Sequence, residues 1–108
     1  MLDTLNNLIK LVRERKEKPI ENSYTNRLLN DKSLSKSKVL EEINELIESV
    51  EKDSNKIHES ADVLYHLIVY LEANGIKIED VMDELKNRKK WLTIKIIFLQ
   101  KYLEEKYR

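Results

Sequence analysis

Four carboxylates stand at a spacing that suits a bound cation: Glu42 and Glu45 three residues apart, then Glu59 and Asp62 three apart. Residues three apart share one face of a helix, so each pair can aim its oxygens in one direction. Acids fill 20 of the 108 positions, so such pairs arise by chance and a lone Glu-x-x-Glu says little. Three observations lift this constellation above that background. Glu41, Glu42, Glu45 and Glu48 crowd like charges onto adjacent turns with few lysines among them, which costs roughly 0.2–0.5 kcal/mol per pair unless a cation lies between them. The second pair begins the helix that follows a short turn, and helices so joined pack antiparallel, which can bring the pairs face to face. Finally, Asp62 stands among Ala61, Val63 and Leu64. A carboxylate buried there needs a compensating charge, a metal or, more blandly, a lysine.

Four carboxylates and no thiols specify a hard cation, Mg²⁺ with Mn²⁺ as a possible substitute. Magnesium keeps waters and takes phosphate oxygens as further ligands, which is the equipment for hydrolysing a phosphoanhydride. His58 and His66 each lie one turn from Asp62. His66 reads as a satisfied core or supporting histidine and His58 as exposed, and neither is taken as a ligand.

These residues need helices to hold them. Leu2, Leu5, Leu8, Ile9 and Val12 recur at three- and four-residue spacing, an amphipathic helix that Pro19 must end. Ser23 is the candidate cap of a short helix reaching about Asn30. The polar stretch Asp31 to Ser37 lacks apolar periodicity and reads mostly as loop, with Ser35 or Ser37 capping the next helix. That helix has the apolar stripe Val39, Ile43, Leu46, Ile47 and Val50. Asp53-Ser54-Asn55 breaks it and offers a cap to a helix over about 56–74, apolar nearly all round from Ala61 to Ala73 and so expected at the centre of a bundle. Asn74-Gly75 is a strong stop. A last helix starts near Ile78, carries a basic patch from Lys86 to Lys90, and ends in a more apolar tail from Trp91 to Tyr102.

Composition agrees. One Gly, one Pro and 37% charged residues favour long helices over a sheet. The expected fold class is all-α, a small antiparallel bundle of four to five helices, which so short a chain would complete by dimerisation. The formal net charge is zero, so no global field draws the chain to nucleic acid or an anionic membrane. The absence of cysteine excludes disulfides, thiol nucleophiles and zinc–thiolate sites. The start Met1-Leu2-Asp3-Thr4 lacks the features of a secretory signal, and the longest apolar run, Val63 to Leu71, is far short of the roughly 20 residues that span a bilayer. A soluble cytoplasmic protein is expected.

Taken together, the segments Lys38 to Glu45 and Glu59 to His66 resemble the two signature helices of the phosphoribosyl-ATP pyrophosphohydrolases. These are enzymes of histidine biosynthesis within the all-helical MazG-type nucleotide pyrophosphohydrolases, whose motif Glu-x-x-Glu then Glu-x-x-Asp is matched by Glu42, Glu45, Glu59 and Asp62. Pro19 to Thr25, Leu64-Tyr65-His66 and Ile78 to Val81 also fit, so the likeness runs over roughly residues 2 to 88. Departures are Leu40 and Asn22, where the family often has glycine, and Asn44, where a small residue is common.

The resemblance implies a domain over 1–88 with a C-terminal helical extension over 89–108, in which Ile94, Ile97, Phe98 and Tyr102 would pack on a partner subunit or on the chain's own core. It implies Mg²⁺-dependent hydrolysis of phosphoribosyl-ATP to phosphoribosyl-AMP and pyrophosphate. Glu42, Glu45, Glu59 and Asp62 would hold the metal, with Glu41, Glu42 and Glu45 catalytic and Glu41 helping with a second ion or the water. Ser23, Tyr24, Thr25, Arg27 and Lys38 would contact the nucleotide. The chain would be a homodimer and, lacking the cysteines of the fused cyclohydrolase, the stand-alone form. The alternatives are a house-cleaning hydrolase of ordinary nucleoside triphosphates and a non-catalytic helical interaction module.

Overall fold

The computed structural model describes residues 2–107, apart from the side chains of 90–92. Five helices and no strand are found among them: α1 (Leu2–Glu17), α2 (Tyr24–Asn30), α3 (Lys32–Glu51), α4 (Lys56–Ala73) and α5 (Ile78–Lys106). They fall into two compact units, one holding α1 to α4 and the other α5. The expected all-α class is borne out. The side chains of Lys90 and Trp91, named above, lie outside the described residues.

In the first unit α4 is the hub, packing against α1, α2 and α3. The apolar core is Ile9 and Val12 of α1, Leu28 and Leu29 of α2, and Ile68 and Val69 of α4. α1 stops two residues before Pro19, as proline's constraint on its predecessor requires. Ser23 caps α2, its Oγ accepting from the Asn26 N–H at 3.3 Å. α4 closes in a Schellman arrangement: Gly75, at φ +70°, donates to the Glu72 carbonyl at 3.2 Å, and Ile76 donates to that of Leu71 at 2.9 Å.

Two expectations need correcting. Asp31 to Ser37 is not a loop: α3 begins at Lys32, and Asp31 caps it, its Oδ1 accepting from the Leu34 N–H at 3.0 Å. Serine and lysine weaken a helix only slightly, so one good cap suffices to start it there. The apolar stripe of α3 is also split. Val39 and Leu46 are half-buried, whereas Ile43, Ile47 and Val50, with Leu40, are exposed. The face that α3 buries carries Ser35, Glu42 and Ser49, seven residues apart. A seam of small polar side chains faces inward, with one carboxylate between them.

Asn55, at φ +56°, occupies the cap position of α4 but its side chain makes no capping bond. α5 begins at Ile78, as its pattern predicts, and runs unbroken to Lys106. Along it Ile94, Ile97, Phe98 and Tyr102 are exposed.

Candidate metal centre

α3 and α4 form the most extensive helix pair, joined by the turn at 52–55, and their antiparallel packing sets the acids of one against those of the other. One oxygen from each of Glu42, Glu45 and Glu59 lies within 4.8 Å of the others; His58, Glu59 and Asp62 form a second group by the same measure. Glu59 belongs to both. The four predicted acids are therefore divided between two overlapping triads, the second completed by His58, rather than gathered in one compact quartet.

Burial separates them. Glu42 is 9% exposed, while the Asp62 side chain is 36% exposed and lies 3.3 Å from His58 Nε2. The carboxylate that most needs a counter-charge is thus Glu42, not Asp62. The apolar neighbours of Asp62 in sequence misled, because Ala61 and Leu64 face outward. One oxygen each of Glu42 and Glu59 is buried with no hydrogen-bond partner. Desolvation first, and the negative charge of Glu45 next, push both carboxyls above the usual carboxylate range. Lysines quench the outer acids instead: Lys38 reaches Glu41 at 3.0 Å, and Lys52 pairs with Glu48. Among the described residues no lysine or arginine pairs with Glu42, Glu45 or Glu59. Orphaned, mutually repelling carboxylate oxygens with no ammonium paired to them suit a hard divalent cation.

A cleft of about 170 Å³ opens beside Glu45 and Glu59, with Lys52, Ser54 and Asn55 on its other wall. It has room for several waters. The start of α2 meets α4 at Tyr65 and His66. Tyr24 stacks near Tyr65, ring centroids 6.4 Å apart, and both rings meet His66 edge-on. Lys38 lies close enough to Tyr24 and Glu42 for its charge to act on both. Ser23 is half-buried, and Arg27 is exposed one turn along α2.

A profile of the phosphoribosyl-ATP pyrophosphohydrolase family matches residues 5–89. The chain belongs to that family. It is 43% identical over 91 residues to the phosphoribosyl-ATP pyrophosphatase of Clostridium acetobutylicum, an alignment spanning 80% of this chain and 81% of that one. A Halobacterium salinarum protein of the same name is 35% identical over 95 residues, which cover 82% of this chain and all of its own length. The histidine biosynthesis bifunctional protein HisIE of Pyrococcus furiosus is 40% identical over 92 residues, 82% of this chain but 43% of the longer relative.

Both triads and the whole Ser23 to Arg27 segment fall inside the stretch matched to the pyrophosphohydrolases. Of the residues expected at the site, Glu42, Glu45 and Glu59 come together, and Asp62 joins through Glu59. Glu41 is outside both groups, tied to Lys38. Asn22, where the family often has glycine, sits at φ +65°, the left-handed region that asparagine tolerates better than most residues. The departure keeps the backbone path. Asn26 carries no mark in the sequence pattern. It is buried, donates from Nδ2 to the Arg15 carbonyl at 2.8 Å and accepts from the Ile20 N–H at 2.9 Å, so it pins the Pro19 loop to α1 and α2. No periodicity flags such a residue; a lone asparagine beside Ser-Tyr-Thr is a weak signal at most.

Proposed function

We propose that this chain hydrolyses phosphoribosyl-ATP to phosphoribosyl-AMP and pyrophosphate, with a divalent cation, Mg²⁺ by the chemistry of its donors, held by Glu42, Glu45, Glu59 and Asp62. The observation that carries the metal assignment is the pair of buried, partnerless oxygens on Glu42 and Glu59. Family membership supports the substrate. A bound Mg²⁺ would neutralise phosphate charge and favour attack of water on the α–β anhydride.

The protein's own groups do the rest. Glu42, Glu45 and Glu59 supply fixed negative oxygens in a partly dry site, where they act more strongly than in water. Lys38 neutralises Glu41 in the absence of substrate and offers a cation to an incoming phosphate. Arg27, exposed on α2, is a second cation for the anionic substrate, and Ser23 a small polar contact. Glu41 would be released by Lys38 as the phosphate binds, free to orient water.

Homodimerisation is part of the reading. Leu40, Ile43, Ile47 and Val50 form one exposed face of α3, and Ile57, Leu64 and Leu67 one of α4, each more than a third exposed. Apolar stripes on two adjacent helices favour a partner surface. A second copy presents the same faces, as a two-fold interface requires.

A substrate panel with and without Mg²⁺ tests the activity. The expected result is metal-dependent pyrophosphate release from phosphoribosyl-ATP and little from ordinary nucleoside triphosphates. Rapid cleavage of dCTP or dUTP, with phosphoribosyl-ATP untouched, would move the chain to the house-cleaning relatives.

A further inference from the structure

Two consecutive side chains at the start of α2 are tied to two consecutive side chains of α4. The Tyr24 hydroxyl lies 2.9 Å from His66 Nε2, and the Thr25 hydroxyl is hydrogen-bonded to that of Tyr65. The direction of the first bond follows from the other side of the imidazole. His66 Nδ1 lies 2.8 Å from the backbone carbonyl of Asp62, which can only accept, so Nδ1 carries the hydrogen. In the neutral ring Nε2 is then the acceptor, and Tyr24 donates to it. With the ring neutral, the single proton of Tyr24 is committed inward and is not free for a phosphate oxygen.

From this geometry we propose that Tyr24 and His66 are positioning residues, a strut that holds the start of α2 at a fixed distance from the Asp62 turn. His66 is 7% exposed, so a broken strut strands a buried ring nitrogen. One end of the strut is the residue after the Ser23 cap; the other is the backbone of a metal-site acid. Tyr65, stacked against Tyr24 and bonded to Thr25, braces the same joint. Tyr24 thus acts on the substrate through His66, not by its own hydroxyl. This deepens the phosphoribosyl-ATP reading and rests on it for its kinetic consequence.

The test is a double-mutant cycle of Tyr24→Phe and His66→Gln in the full chain, measuring KM and kcat for phosphoribosyl-ATP, Mn²⁺ affinity, and amide exchange over residues 23–27. Tyr24→Phe keeps the ring and its stacking, so it folds even where His66→Gln does not. The strut predicts that each single variant raises KM about tenfold while kcat changes by less than about threefold. Mn²⁺ affinity stays within about twofold, and the double variant is no worse than the worse single one. Amide exchange over 23–27 speeds up about tenfold or more in Tyr24→Phe. Effects on KM that multiply in the double variant would overturn the proposal in favour of direct substrate contact by Tyr24. An unchanged KM with only a lowered melting temperature would reduce the strut to a structural bond. A wild-type protein inert towards phosphoribosyl-ATP would sink the substrate reading instead, and the exchange measurement still decides the strut: unaltered exchange in Tyr24→Phe refutes it.

Discussion

Glu42 answers two opposed demands. It lies on the buried face of α3, where an ionised carboxyl is costly, and the proposed role of holding a cation requires it to be ionised. With no metal bound, Glu42 and Glu59 have carboxyls raised above their ordinary value of 4.5, so the folded chain holds protons that the unfolded chain releases. Their contribution is neutral below that ordinary value, and metal-free stability falls as pH rises from it through the raised values. A cation reverses the trend. The stabilisation that Mg²⁺ gives in a thermal melt should be small near pH 5 and larger near pH 7.5; equal shifts at both would contradict the assignment. Glu42→Gln should raise the melting temperature of the metal-free protein, because it removes a desolvated, repelled charge. The same variant should lose the Mg²⁺ shift and cut turnover by about 100-fold or more. The acid pairs were legible because three-residue spacing is a local property. Which acid is buried was not, because burial depends on the rotation of α3, and neighbours in sequence point elsewhere on a helix.

Among the elements, the joint between α1, the Pro19 loop and α2 depends most on one side chain. Asn26→Ala removes two hydrogen bonds at a site 6% exposed and leaves the Arg15 carbonyl and the Ile20 N–H without their protein partner. The expected loss is about 2 kcal/mol, read from chemical denaturation, with a melting temperature lower by about 10 °C. A change within about 0.5 kcal/mol would mean that the loop is held by other contacts. Asn22→Gly should by contrast be tolerated, since the backbone there is already left-handed. Helix ends were readable wherever a residue with a strong local preference marks them: Pro19, Ser23, Gly75. The start of α3 is hidden in the sequence because Asp31 serves two helices at once, ending α2 and capping α3. A one-residue link leaves no loop for composition to reveal.

For the molecule as a whole, the fold class was plain from one glycine, one proline and helical periodicity. What periodicity could not give is which apolar stripe faces the chain's own core. In α3 the inward face is Ser35, Glu42 and Ser49, and the apolar positions Ile43, Ile47 and Val50 look outward. That inversion supports the proposed homodimer: Ile47→Glu should shift the chain to monomer in sedimentation velocity, and an unchanged sedimentation coefficient would place the dimer face elsewhere or remove it. No helix among the described residues is long and apolar enough to cross a membrane. The central claim remains the reaction. Phosphorus NMR of phosphoribosyl-ATP incubated with the protein and Mg²⁺ tests it most directly, because the products report which anhydride is cut. The account predicts phosphoribosyl-AMP and pyrophosphate in equal amounts, and neither when the metal is chelated. Release of orthophosphate with phosphoribosyl-ADP, or an unchanged spectrum, would contradict it.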